Sequence, residues 1–126
     1  MQNEIWVDVP GYSGLYKVSN HGRIKSVARG GTKGGLLKQT PSYNGYLFVH
    51  LCKNGKTETC YLHRLIGALF CPNKMPGLQV NHKDGNKANN YFENLEWVTP
   101  KENTQHAIYV LGVRKRRNYA NKKRRI

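Results

Sequence analysis

Residues Leu78–Ala107 read LQVNHKDGNKANNYFENLEWVTPKENTQHA, and this stretch decides the fold. The spacing predicts a short strand at Leu78–Asn81, an irregular loop, a second strand at Leu95–Thr99 and a helix opening at Pro100. The helix start is well marked. Thr99 suits the N-cap, Pro100 the first helical position, and Glu102 completes a capping box. In the second strand Leu95 and Trp97 alternate with Glu96 and Val98, the pattern of a half-buried strand. Polar side chains gather at the joints of this strand–loop–strand–helix unit. Asn81 and His82 end the first strand, Asn94 precedes the second, and Asn103 and His106 lie on the first turns of the helix.

Upstream, residues 1–58 read as strands and tight turns. Leu15–Ser19 and Arg23–Val27 flank the hairpin loop Asn20-His21-Gly22, and Arg29–Gly35 is a glycine-rich loop. Leu36–Thr40 and Tyr46–Lys53 flank a turn at Asn44-Gly45, and Asn54-Gly55 turns the chain toward Thr57–Cys60. Within Tyr46–Lys53, Leu47, Val49 and Leu51 share one face. Tyr46, Phe48, His50 and Cys52 share the other, which either meets a nucleic acid or packs a second layer. Tyr61–Phe70 reads as a helix whose apolar stripe is Leu62, Leu65, Ile66, Leu69 and Phe70, followed by Pro72. The last helix is expected to continue through Leu111.

The chain carries 21 Lys and Arg against 7 Asp and Glu, a formal charge of +14 on 126 residues. Such an excess implies a polyanionic partner, with nucleic acid the default. The run Arg114–Ile126 holds eight basic residues and no acid. It reads as a solvated tail or a phosphate-tracking arm. With 38% apolar residues the core is modest, and the length suits one compact domain or two small modules sharing a sheet. No apolar run nears the ~20 residues of a membrane span, and the N-terminus lacks a signal-peptide core, so an intracellular protein is expected. Cys52, Cys60 and Cys71 form no C-x-x-C pair, which excludes a four-cysteine zinc site and suggests reduced thiols.

The order histidine, asparagine, helical ligand resembles the HNH nuclease motif, also called the ββα-metal fold. The likeness runs through YLHRLIGALF (Tyr61–Phe70), VNHKDGNKANN (Val80–Asn90) and ENLEWVTPKEN (Glu93–Asn103), and is greatest to phage homing and free-standing HNH endonucleases. The stretch EIWVDVPGYSGLYKVSNHGRIKSV (Glu4–Val27) is similar to the nuclease-associated module that precedes HNH domains in such proteins. The resemblance implies an α+β fold, with N-terminal antiparallel hairpins (1–58) joined to an HNH unit (59–112) and a basic tail (113–126). It implies metal-dependent hydrolysis of double-stranded DNA to 5′-phosphate and 3′-hydroxyl ends. His82 would be the general base, since a neutral imidazole suits proton abstraction near pH 7. Asn94 would hold the loop and His82 in place, while Asn86, Asn89 and Asn90 satisfy loop backbone groups.

By the same resemblance Asn81 and Asn103 would hold one divalent cation, Mg²⁺ or Mn²⁺. Several relatives place aspartate at the first of these positions, and two neutral amides bind a hard cation more weakly. His106, one turn on, is the alternative ligand and would favour Mn²⁺, Ni²⁺ or Zn²⁺. Candidate DNA contacts, by charge and position, are Arg23, Lys25, Arg29, Lys33, Arg114, Lys115, Arg116 and Arg117. His63 is either a structural histidine or a phosphate contact. A phage-encoded monomer acting in the host cytoplasm, without small-molecule cofactor or membrane, completes the expectation. The rival is a basic nucleic-acid-binding module that keeps the HNH shape without catalysis.

Overall fold

The computed structural model describes residues 3–106. The fold is α+β: nine strands in three antiparallel sheets, two helices and one 3-10 turn among the described residues. The first sheet is β1 (Trp6–Asp8), β2 (Tyr16–Ser19), β3 (Ile24–Ser26) and β4 (Gly35–Leu36), paired in that order. Val18 and Ile24 face each other in the β2–β3 register and are wholly buried. The second sheet is β5 (Thr40–Pro41), β6 (Leu47–Lys53) and β7 (Lys56–Tyr61). Its hairpin turns at Asn54 and Gly55, both with positive φ (53° and 76°), as a two-residue connection between twisted strands requires. Val49 and Leu51 are buried while His50 and Cys52 are exposed, so the alternation expected for this strand holds.

The expected strand Leu36–Thr40 divides. Gly35–Leu36 joins the first sheet and Thr40–Pro41 the second, so the chain changes sheets there. The four-stranded sheet is therefore separate from the second, in which residues 59–61 of β7 pair with β6 and so link the two modules. They share a core: Val9, Tyr16, Val18 and Ile24 form one cluster with Val49, Leu51, Leu62, Ile66, Val80 and Leu95. The Tyr16 hydroxyl seals the joint by accepting a hydrogen bond from the Cys52 backbone N–H at 3.0 Å. Strand β7 crosses the expected boundary at 58–59 and runs directly into α1 (Leu62–Phe70). The three cysteines are free.

Helix α1 lies over the hairpin formed by β8 (Gln79–His82) and β9 (Leu95–Val98), in the register Asn81↔Glu96 and His82↔Leu95. Gly67 permits the approach. The Trp97 indole donates to its carbonyl at 3.0 Å, and a β-carbon at Gly67 would stand 3.0 Å from Val80 Cγ2. Helix α2 (Pro100–Gln105) begins as expected, with Pro100 at its first position and both halves of the capping box formed. Its predicted continuation to Leu111 and the basic tail lie outside the described residues. Among the described residues, no helix is long and apolar enough to cross a membrane.

Candidate active site

Alternation along β8 sends Val80 and His82 to the face covered by α1, and Gln79 and Asn81 to the other. His82 is 4% exposed and sits beside two aromatic rings, His63 at 5.6 Å and Tyr46 at 5.9 Å between centroids. Its Nε2 lies 2.8 Å from Oδ1 of Asn90. An amide oxygen only accepts, so this contact places the imidazole proton on Nε2 and leaves the lone pair on Nδ1. Burial pushes the His82 pKa below the ordinary 6.5; the bond to Asn90 and the charge of Asp84 act against that shift. The ring is therefore a neutral base at physiological pH.

The loop between β8 and β9 is tied by Asp84 and its asparagines. Asn94 accepts from the Asp84 N–H at 3.1 Å and donates to Asp84 Oδ1 and the Asn89 carbonyl, each at 2.9 Å. Asp84 Oδ1 also accepts from the Asn86 backbone, and Oδ2 from the Asn89 side chain. Hydrogen bonds from the Asn89 side chain, the Asn86 backbone and the Asn94 side chain hold the Asp84 carboxyl below its usual range. Asn94 thus fixes the loop, but the acceptor of the His82 Nε2–H is Asn90, expected to serve only its own turn. Nothing in the run Asn89-Asn90 distinguishes the two residues; burial alone does, at 3% exposure for Asn90.

On the opposite face, Asn81 Nδ2 donates to Glu96 Oε2 at 2.8 Å, across the strand pair. Asn103 Nδ2 donates to Gln79 Oε1 at 3.0 Å, and His106 Nε2 meets the Lys83 carbonyl at 3.1 Å. Helix α2 is thereby laid along β8, with Asn103 near its start and His106 near its end. Both amide N–H₂ groups are engaged, and among the described residues neither Oδ1 accepts a hydrogen bond, the disposition a hard, oxygen-seeking cation needs. Glu96, absent from the residues the motif implied, brings a carboxylate against Asn81. The signal was available: Glu96 stands opposite Asn81 once the hairpin register is known. Among the described residues no group of three or more His, Cys, Asp or Glu is placed to hold a metal. The residues fit a single oxygen-bound cation and not a cysteine–histidine zinc site. His106, with Nε2 donating to a carbonyl, offers only Nδ1.

The expected DNA contacts fare unevenly. Arg23 spends its guanidinium on Glu4, with Nε to Oε2 at 2.8 Å, and the pairing holds the Glu4 carboxyl at about 2. Arg29 Nη1 donates to the carbonyls of Val27 (2.8 Å) and Leu15 (3.0 Å), so this end of its guanidinium stitches the first sheet. Lys25 lies over the Trp6 ring at 4.1 Å, and Lys33 is exposed. His63 is 6% exposed and stacks on Tyr46 at 4.5 Å. Burial, then the charges of His82 and Arg64, push its pKa down to about 4. A ring held neutral this way brings no charge to a phosphate. It instead lines an open cleft of about 490 Å³ together with Tyr46, Arg64, Lys74, Trp97 and Asn103. Arg114, Lys115, Arg116 and Arg117 lie outside the described residues.

Comparison with known proteins places this geometry. Residues 4–52 match the NUMOD4 motif and residues 60–105 match the HNH endonuclease family. The structure described as DNA binding and cleavage by the HNH homing endonuclease I-HmuI aligns with a TM-score of 0.77 at 40% identity, over 95% of this chain and 68% of that one. The chain belongs to the HNH endonuclease family. DNA endonuclease I-HmuI of Bacillus phage SP01 is 45% identical over 82% of this chain and 57% of its own length. The uncharacterized HNH endonuclease L245 of Acanthamoeba polyphaga mimivirus is 41% identical over 74% of this chain and 27% of its own. The chain thus spans little more than half of the first relative and about a quarter of the second. The resemblance read from the sequence, to phage HNH endonucleases with a nuclease-associated module ahead, is borne out. Members of this family are in general dependent on a divalent metal.

Proposed function

We propose that this chain hydrolyses phosphodiester bonds of double-stranded DNA with one divalent cation, leaving 5′-phosphate and 3′-hydroxyl ends. The observation that carries the reading is the contact of the buried His82 Nε2 with Asn90 Oδ1 at 2.8 Å, which leaves Nδ1 as the basic nitrogen. That buried imidazole follows Asn81 directly in the chain, and among the described residues the Oδ1 atoms of Asn81 and Asn103 accept no hydrogen bond. Nδ1 takes the proton of the attacking water as its oxygen bonds to phosphorus, and the 3′ oxygen departs with the bonding pair. Asn81 and Asn103 would hold the cation, with Glu96 behind Asn81 and His106 as the secondary candidate. Bound there, it supplies positive charge to the phosphoryl oxygens in the transition state. The donor set of neutral amides suits Mg²⁺ or Mn²⁺ held jointly by protein and DNA phosphate, over Ni²⁺ or Zn²⁺. Asn94 keeps the loop in shape.

One such site in a monomer cuts one strand per encounter. Lys33 and Lys25 in the N-terminal module (1–58), Arg64 and Lys74 at the cleft of the HNH unit (59–112), and the tail (113–126) supply the phosphate contacts. Phage relatives favour a phage-encoded protein acting inside a host cell. A basic binding module without catalysis is the second reading, and the amide at Asn81 is what favours it.

Incubating supercoiled plasmid with Mg²⁺, Mn²⁺, Ni²⁺ and Zn²⁺ tests both. The open-circle form should appear, and His82→Ala should abolish it with DNA affinity kept within about twofold. Tight metal-independent binding with no nicking by any cation would establish the second reading.

A further inference from the structure

The turn between β2 and β3, Ser19 to Gly22, is built more firmly than a surface hairpin needs. Ser19 is wholly buried, and its hydroxyl accepts from the His21 and Arg23 backbone N–H groups at 3.1 and 3.2 Å. Asn20 is 2% exposed; its side chain accepts from the Ile5 N–H at 2.7 Å and donates to the Asn3 carbonyl at 3.1 Å. The Gly22 carbonyl accepts from the Gln39 side chain at 2.8 Å. Every strand-side neighbour of the turn pins it.

Its outer side rests on the nuclease loop. The Asn20 carbonyl accepts from the Phe92 N–H at 2.9 Å, and the rings of His21 and Tyr91 meet edge to face at 5.3 Å. Gly22, at φ +91°, lies so near that a β-carbon there would stand 3.1 Å from the carbonyl carbon of Asn90 and 3.3 Å from its Cβ. Asn90 is the residue that holds Nε2 of His82, and among the described residues its buried Nδ2 has no partner. Its side chain therefore has no other polar anchor, and its place is set by the backbone the turn supports.

We infer that the Asn20–Gly22 turn of the N-terminal module is a working part of the active site. It seats Asn90, and Asn90 selects the His82 tautomer whose Nδ1 carries the lone pair. Asn90 and Gly22 are then positioning residues, and the module ahead of the HNH unit acts on chemistry as well as on DNA contact. The inference rests on His82 as the base in its catalytic half, but the tautomer can be read without any reaction.

The test uses the full chain labelled with ¹⁵N-histidine, metal-free at pH 8, with side-chain nitrogen shifts assigned to His82. Nicking rate at saturating DNA and DNA affinity are measured alongside. In the unaltered protein Nε2 should carry the proton. Asn90→Ala should give a mixture of tautomers and a 10- to 100-fold slower rate at unchanged DNA affinity. Asn90→Asp, which keeps the acceptor oxygen, should restore the Nε2–H form and most of the rate. Gly22→Ala should behave like Asn90→Ala. Gly14→Ala is the control, equally strained at φ +80° but with nothing within 4 Å of the new β-carbon; it should leave the tautomer alone. Should His82 keep the Nε2–H form in both Asn90→Ala and Gly22→Ala, the inference is overturned. If the tautomer shifts as expected but no form of the protein nicks DNA, the nuclease reading fails and the positioning stands.

Discussion

Replacing Asn81 with aspartate probes the metal reading from both directions. The Asn81 amide donates to Glu96 at 2.8 Å and is 7% exposed, so the new carboxylate would face another across the strand pair with little water between. The lost bond to a charged acceptor is worth about 1.5–3 kcal/mol. Two like charges about 4 Å apart at an effective dielectric near 20 repel by about 4 kcal/mol. Relief comes by taking up a proton or swinging one group outward, so a net loss of about 2–4 kcal/mol is expected without metal. For a chain of this size that lowers the melting temperature by roughly 8–15 °C.

The sign with pH follows. Repulsion raises the folded-state pKa of the pair above the unfolded values near 4, so the penalty is small at low pH. It grows as pH rises through that range and is complete above the raised pKa. Melting of Asn81→Asp in EDTA should therefore fall behind the unaltered protein at pH 7.5 and close on it near pH 4.5. A divalent cation reverses the effect by replacing repulsion with attraction. At 100 times its dissociation constant it restores about 2.7 kcal/mol. Adding 10 mM Mn²⁺, roughly that excess if the new site binds near 0.1 mM, should return most of the lost melting temperature and leave the unaltered protein almost unmoved. Nicking at limiting metal should rise. If metal shifted both proteins equally, or the variant melted like its parent in EDTA, Asn81 would not face a cation site.

Three further outcomes are expected. Thr99→Ala removes the side-chain half of the capping box, the 3.0 Å bond accepted from the Glu102 N–H, and leaves the 2.8 Å backbone return to Glu102. It should cost about 1 kcal/mol in chemical denaturation, with weaker metal activation because Asn103 rides on that first turn. Asn94→Ala severs three loop hydrogen bonds at 2.9–3.1 Å and should cost about 2–3 kcal/mol, with nicking reduced at least tenfold. His63, held to about 4, is neutral in the folded protein and charged in the unfolded chain below 6.5. Stability should therefore fall as pH drops from 6.5 to 4, by on the order of 2–3 kcal/mol, and His63→Gln should flatten that slope in pH-dependent melts. The same substitution should leave the salt dependence of DNA binding at pH 7.5 unchanged, because a neutral ring releases no counterion.

What the sequence disclosed and what it withheld divide along range. The cap at Thr99, the turn at Asn54-Gly55 and the alternation of Val49 and Leu51 are local, each set by neighbours within a few positions, and each could be read in advance. The division of Leu36–Thr40 between two sheets could not, since no residue there marks which partner each end will find. The charged side chains mislead for a related reason. Arg23 and Arg29 carry the same formal charge as Lys33, yet Glu4 and the carbonyls of Leu15 and Val27 claim them, and those partners are fixed only once β1, β2 and β3 pair. Asn90 is the strongest case. Its neighbours Asn86, Asn89 and Asn94 all bond within the loop, as short polar side chains do by default. Asn90 departs from that default where Gly22, from the turn between β2 and β3, packs against its backbone and Cβ. A loop read in isolation leaves Asn86, Asn89 and Asn90 equivalent; the packing of the N-terminal turn against Asn90 is what sets it apart.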